Sequence, residues 1–265
     1  MFGGINAEDI ETSRALTIVD RLTNELDTSV FHDDQHSTAA VTLAALLNAR
    51  RLTKRNPEDT SVVVAGAGSA GYGIAKTVYA VGIRDIVVTD SQGVISRPGS
   101  PETMNKYKQE LASITRPREG VTKLADAARR KDVFIGVYGV KNLITAQMVK
   151  AMNADPITFP LSNPDPEIHP KEALKAGAKV IATGSYKFEN MANNSFAFPF
   201  TMRAILDNRI RKVSQQLLVN VAYALADLVP PKDRLSPFNM IPDLTDPRIQ
   251  EAVNKAVRSA ITTTG

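Results

Sequence analysis

The chain has 265 residues and no cysteine, which excludes a disulfide framework, a thiolate metal site and a thiol nucleophile. That usage fits a reducing compartment, and a cytoplasmic location is the expectation. No apolar run reaches the roughly 18 residues of a bilayer-crossing segment, so no membrane partner is expected. The opening residues, MFGGINAEDI, carry two acids and no basic cluster, which is unlike a secretory signal. Aromatic residues are only 6% of the chain, and the basic residues are scattered in small groups at Arg50-Arg51, Lys54-Arg55, Arg129 to Lys131 and Arg209 to Lys212. A nucleic-acid binder needs a concentrated basic face, so these groups read as solvated helix surfaces despite a net charge of +4. Histidine is scarce. His32 and His36 stand four apart, a spacing that suits zinc, but only the neighbouring acids are there to complete a ligand set. His169, before Pro170, reads as a surface residue.

With 43% hydrophobic and 23% charged residues, the chain can bury a sizeable core as one large domain or two small ones. The most informative stretch is Ser61 to Asp90. A valine-rich run, Ser61 to Ala65, suits a strand buried on both faces. Gly66-Ala-Gly68-Ser-Ala-Gly71 follows it and opens an apolar-periodic helix through Ile74, Val78 and Val81. A second run, Ile86 to Thr89, ends at Asp90, roughly 20 residues past the last glycine. This strand, glycine turn, helix, strand and acid predict a dinucleotide site. Gly66 permits the tight turn, Gly68 the approach of a pyrophosphate and Gly71 close helix–strand packing, while the helix N-terminus offers unpaired N–H groups. A glycine turn kept for packing alone explains Gly71 better than it explains Gly66 and Gly68.

Helical spacing covers residues 7 to 27, and Thr28 to Phe31 is β-prone. A strong helix spans Ala39 to Leu52, and residues 92 to 105 read as an irregular connection. Strands are predicted at Asp132 to Tyr138, Ile157 to Leu161 and Lys179 to Thr183, separated by helices at Thr145 to Met152 and Lys171 to Ala176. Five strands alternating with helices imply a doubly wound parallel α/β sheet of Rossmann-like type. N- and C-terminal helices flank it, the latter at about 195–228 and 247–262. In such sheets ligands sit beyond the carboxyl ends of the strands. Asp33-Asp34, Gly66 to Gly71, Tyr138-Gly139, Asn163 and the Gly184 loop are all expected on that rim.

Glu8-Asp9 and Asp33-Asp34 are paired acids beside helix starts. Two readings fit each pair: favourable contact with a helix dipole, or a hard divalent cation such as Mg²⁺ or Mn²⁺ that relieves their repulsion. Asn163, ahead of two prolines, can orient a polar substrate or the nicotinamide ribose, or can simply form an Asx-turn. Asn190, Asn193 and Asn194 lie where the sequence turns from polar to apolar at Phe196, and Asn194 can also cap the following helix.

FGGINAEDI (Phe2 to Ile10), FHDDQHSTA (Phe31 to Ala39), the glycine fingerprint, SNPDPEI (Ser162 to Ile168) and NNSFAFP (Asn193 to Pro199) resemble, in order and spacing, the malic enzyme family. The resemblance implies that Glu8, Asp9 and Asp34 bind the divalent cation, with Asp33 beside them in the acid–base network. It implies that Asn163, Asn193 and Asn194 contact a dicarboxylate substrate. Gly66, Gly68, Ser69, Ala70 and Gly71 would then hold the coenzyme, with Asn163 near its nicotinamide half and Asp90 at the adenosine ribose. The implied reaction is oxidative decarboxylation of L-malate to pyruvate and CO₂. NAD is the expected coenzyme because Asp90 suits a free 2′-hydroxyl; NADP is the alternative, with Arg97 placed to meet a phosphate.

In the family a smaller domain precedes FGGIN and supplies a catalytic tyrosine and lysine. Residues 1–30 are therefore expected to be a remnant of that malate- and metal-binding domain, and residues 31–265 the NAD(P)-binding domain. The expected assembly is a homodimer or higher oligomer, or a complex with a partner that supplies the missing pair. The competing expectation is a non-catalytic NAD-binding module with a regulatory or assembly role. Three departures from the family pattern stand out: Ser37 for a usual glycine, Phe200 for the glycine after the proline, and Gly184-Ser-Tyr-Lys187 for a Gly-Arg-Ser-Asp run. Tyr186 and Lys187 could replace the absent acid and base, though a surface loop is the simpler reading.

Overall fold

In the computed structural model, which describes residues 2–96, 104–229 and 235–262, the chain opens with a small unit of its own. Strands β1 (Gly4–Ala7) and β2 (Ser29–His32) pair in parallel, with helix α1 (Thr12–Glu25) as the crossover. The helix begins five residues later than its periodicity predicts, because residue 7 belongs to the strand. There the Ala7 side chain joins Val19 and Val30 in a separate small core. After β2 a π-turn (Asp33–Ser37) runs directly into α2 (Thr38–Thr53). Apolar on nearly every side, α2 is buried between α3 (Ser69–Ala80) and α9 (Gln215–Asp227), as such a composition requires.

The main sheet has six strands: β3 (Ser61–Ala65), β4 (Asp85–Asp90), β5 (Gly93–Val94), β6 (Val133–Gly136), β7 (Ile157–Pro160) and β8 (Val180–Ile181). They lie in the order β5-β4-β3-β6-β7-β8, all parallel except the short antiparallel edge strand β5. The predicted doubly wound architecture is present. Period-two side chains divide the core cleanly. Val62, Val64, Ile86 and Val88 face the layer built from α2, α3 and α9. Val63, Ala65, Val87 and Phe134 face α5 (Leu124–Ala128), α6 (Ala146–Lys150) and α7 (Pro170–Lys175). Full burial of each such valine is worth about 1.5–3 kcal/mol.

Other elements also differ from the sequence expectations. Helix α4 (Lys106–Ile114) was not anticipated; Asn105 caps it by accepting from the Lys108 N–H at 2.9 Å. The single long helix expected near 195–228 is instead a 3₁₀ turn (Asn194–Phe196), α8 (Phe198–Asp207) and α9. Arg209 takes a left-handed conformation (φ 50°), and Ser214 restarts the chain by capping α9 at Leu217 N (3.1 Å). The last helix, α10 (Ile249–Thr262), packs on α8 and α9. Among the described residues no helix is long and apolar enough to cross a membrane.

Candidate functional site

From β3 the chain winds outward to β4 and β5, and then returns to the other side of β3 for β6, β7 and β8. A switch of this kind opens a crevice beyond the carboxyl ends of β3 and β6. Gly66 stands at that point with φ 119°, a left-handed conformation that favours glycine, and its N–H donates to the Thr89 carbonyl at 2.9 Å. A Cβ on Gly71 would lie 1.9 Å from the Gly66 carbonyl oxygen, so α3 can start against the turn only without a side chain there. Gly68 occupies the N-cap of α3, and the Ser69 hydroxyl is buried with no hydrogen-bond partner.

Two cavities flank this turn. One of about 480 Å³ is bordered by Gly66, Gly68, Asp90, Tyr107, Lys108 and Tyr138; the other, of about 310 Å³, by Asp34, Ala70, Gly139, Asn163, Asn193 and Asn194. Val137 borders both. A dinucleotide can therefore straddle the turn, with its pyrophosphate at the N-terminus of α3. Asp90 Oδ1 accepts from Gln92 N at 2.7 Å, and Oδ2 from Lys108 Nζ at 2.6 Å. Lys108 escaped the sequence reading because α4 did; its Asn-x-x-Lys start was the available signal. Arg97, considered for meeting the extra phosphate of NADP, lies outside the described residues.

The acidic half of the site hangs on the π-turn. Asp33 is buried, and burial pushes its carboxyl up to about 6. The Ser37 hydroxyl and the Asn194 amide oppose that shift, while the nearby charges of Glu8 and Asp34 add to it. Its Oδ1 is buried without a partner, and its Oδ2 accepts from Asn194 Nδ2. Asn194 is thus tied to the acid, and of the two readings open for it the capping one falls away. Asn193 does the capping, accepting from Ser195 N at 3.0 Å, and it also donates to the Gly184 carbonyl at 2.9 Å. Asn190 is spent on structure, bonding the Ile181 and Pro237 carbonyls and Met240 N. Ser37, where a glycine was expected, sits unstrained at φ −69°.

The remaining candidates are less closely gathered. Glu8 is exposed and accepts from Asn6 Nδ2 at 2.9 Å; Asp9 is exposed at φ 53°. Among the described residues no three histidine or carboxylate groups converge as a ready-made ion cage. In chemistry, however, the donors fit a hard cation. All are carboxylates, Glu8 and Asp34 are close enough to Asp33 to perturb it, and Asp33 keeps an orphaned oxygen. His36 Nδ1 accepts from His32 N at 3.0 Å, and burial holds its pKa down to about 3, so it braces the turn as a neutral ring. Tyr186 is 75% exposed, and Lys187 borders a different cavity beside His169 and Phe238. One buried carboxylate, Glu167, was also missed. It receives Tyr138 N and Ser162 N at the cavity edge, and its place inside SNPDPEI was the only hint.

Comparison with known proteins agrees with this architecture. The family described as "Malic enzyme, NAD binding domain" matches residues 35–262. The chain is 43% identical over 264 residues to the bifunctional malic/malolactic enzyme of Bacillus subtilis (strain 168), covering 100% of this chain and 64% of that protein. It is 40% identical to the NAD-dependent malic enzyme of Geobacillus stearothermophilus, covering 100% of this chain and 54% of that one. The crystal structure of malic enzyme from Pyrococcus horikoshii Ot3 superposes with a TM-score of 0.92 at 34% identity, covering 100% of this chain and 62% of that one. The chain thus spans between about half and two thirds of the length of these relatives. With the switch-point crevice, the glycine turn and this likeness together, the chain belongs to the malic enzyme family, of which it carries the NAD-binding domain.

Proposed function

We propose that the chain is the coenzyme- and metal-binding portion of an enzyme that oxidatively decarboxylates L-malate to pyruvate and CO₂ with NAD(P). The observation that supports this most is the Asp33–Asn194 contact, which brings an acid and an amide from distant segments to the lip of the coenzyme crevice. Gly66, Gly68, Ser69, Ala70 and Gly71 would bind the pyrophosphate through the start of α3, with Asp90 accepting from the ribose. Asn163, Asn193 and Asn194 would orient the dicarboxylate. Asp33, with a pKa near 6, is suited to exchanging a proton with the substrate hydroxyl side of the site at neutral pH.

Glu8, Asp9 and Asp34 would hold Mg²⁺ or Mn²⁺, which supplies Lewis acidity toward the hydroxyl and the carbonyl it becomes. The coenzyme, when bound, would supply the hydride acceptor. Residues 1–30 would belong to the malate-binding side and residues 31–265 to the coenzyme side, in a cytoplasmic homodimer or larger assembly, or in one completed by a partner domain.

The test is NADH formation when the chain is mixed with L-malate, Mn²⁺ and NAD, alone and with the N-terminal domain of a relative added. Turnover in either mixture supports the proposal. Tight NAD binding without turnover in both would replace it with a binding module.

A further inference from the structure

Glu167 has no exposed surface, yet it lies at the functional rim of the sheet and has no part in the chemistry above. Its Oε1 accepts from Tyr138 N at 2.9 Å and its Oε2 from Ser162 N at 3.1 Å; the Ser162 hydroxyl donates to Oε1 as well. That hydroxyl in turn accepts from Gly139 N at 2.8 Å. Tyr138 and Gly139 follow β6, whereas Ser162 and Asn163 follow β7. A single side chain therefore fastens two strand ends to each other through their backbone N–H groups. The strand below makes room for it. A Cβ on Gly136 would come within 2.8 Å of the Glu167 carboxyl carbon.

A buried carboxylate is costly unless its oxygens are met by donors, and an apolar side chain could fill this space. Here each donor comes from a loop whose exposed members, Gly139 and Asn163, border the 310 Å³ cavity. Released from Glu167, the two loops would lose their common acceptor, and the width of the cavity would no longer be set. We propose that Glu167 is a positioning residue that spaces these loops to receive the nicotinamide half of the coenzyme. The inference rests on the coenzyme reading given above, and concerns only one end of the dinucleotide.

The experiment compares NAD with ADP-ribose, which lacks nicotinamide, by titration calorimetry on the wild-type chain, Glu167→Gln and Gly136→Ala. Glutamine keeps the shape but turns an amide N–H₂ toward N–H donors; the added methyl of the second variant displaces the carboxylate from beneath. The expected result is NAD binding tighter than ADP-ribose in the wild type, an NAD Kd raised roughly tenfold in both variants, and ADP-ribose changed less than about twofold. Equal losses for both ligands would mean that Glu167 serves general stability, and unchanged NAD binding would mean that it positions nothing. Either result overturns the proposal, as does equal affinity of the wild type for the two ligands. Failure of the wild type to bind ADP-ribose would instead overturn the coenzyme reading itself.

Discussion

Lys108 places its ammonium 2.6 Å from the Asp90 carboxylate, and both border the 480 Å³ cavity. A lone acid here would accept from a ribose 2′-hydroxyl and repel a 2′-phosphate. The lysine softens that discrimination, so the wild type should prefer NAD only modestly. Lys108→Ala should raise the Kd for NADP roughly tenfold, in line with the loss of one charge-assisted contact, and widen the preference for NAD. Asp90→Asn should narrow or reverse it. Calorimetric Kd values in which the alanine variant binds NADP as well as the wild type would refute the pairing.

Asp33 makes a prediction about stability and pH. Its carboxyl is raised to about 6 in the folded chain from 3.8. Between those values the native state holds a proton that the unfolded state has released, so this group's stabilising contribution falls as pH rises from about 4 to 6. Above that window the cost levels off near 2–3 kcal/mol. His36 tilts the other way. Lowered from 6.5 to about 3, it makes the protein less stable as pH falls through that range. Asp33→Asn isolates the first effect. The variant should be about 2 kcal/mol more stable than wild type at pH 7 and converge with it near pH 4 in urea titrations. A constant difference across that range would rule the shift out.

Divalent cations should stabilise the chain through the same cluster. A ligand at a hundred times its Kd adds about 2.7 kcal/mol, a shift of several degrees in Tm. Mn²⁺ should give that shift to the wild type and little of it to Asp34→Asn or Glu8→Gln. The same Tm rise in all three proteins would place the ion elsewhere.

Gly71→Ala should be among the most damaging single methyl additions in the chain, because its Cβ would meet backbone oxygen, not a side chain that can turn away. Overpacking ordinarily costs about 1–3 kcal/mol, and here the cost should reach or exceed the upper end, with NAD binding lost as the turn opens. Thermal melts and a binding titration would check both. A variant that melts and binds like the wild type would show that the turn is not tightly held.

Much of this was legible in the sequence wherever the signal is local. Val62, Val63 and Val64 announce a strand covered on both faces, and Gly66 to Gly71 announce the turn that follows, because steric rules act over a few residues. What escaped was set by partners far away. Ala7 scans as helical until Val19 and Val30 are seen to claim it for a strand. Asn194 reads equally as a site residue and as a cap, and only its bond to Asp33, 161 positions away, decides between them. Lys108 and Glu167 carry ordinary helix- and loop-type letters, and only their neighbours in space give them a role.

The five residues from Asp33 to Ser37 wind more widely than an α-helix, and they do so immediately ahead of a helix locked on all sides. Such a turn accommodates a surplus residue. Deleting Gln35 from the five would let the coil tighten, and since an α-helix rotates about 100° per residue, the free end would have to swing. Helix α2 cannot move, so the acids would pivot away from the amide and the crevice with every charge still in place. A one-residue deletion would thus misaim the site, whereas a point substitution only disarms it.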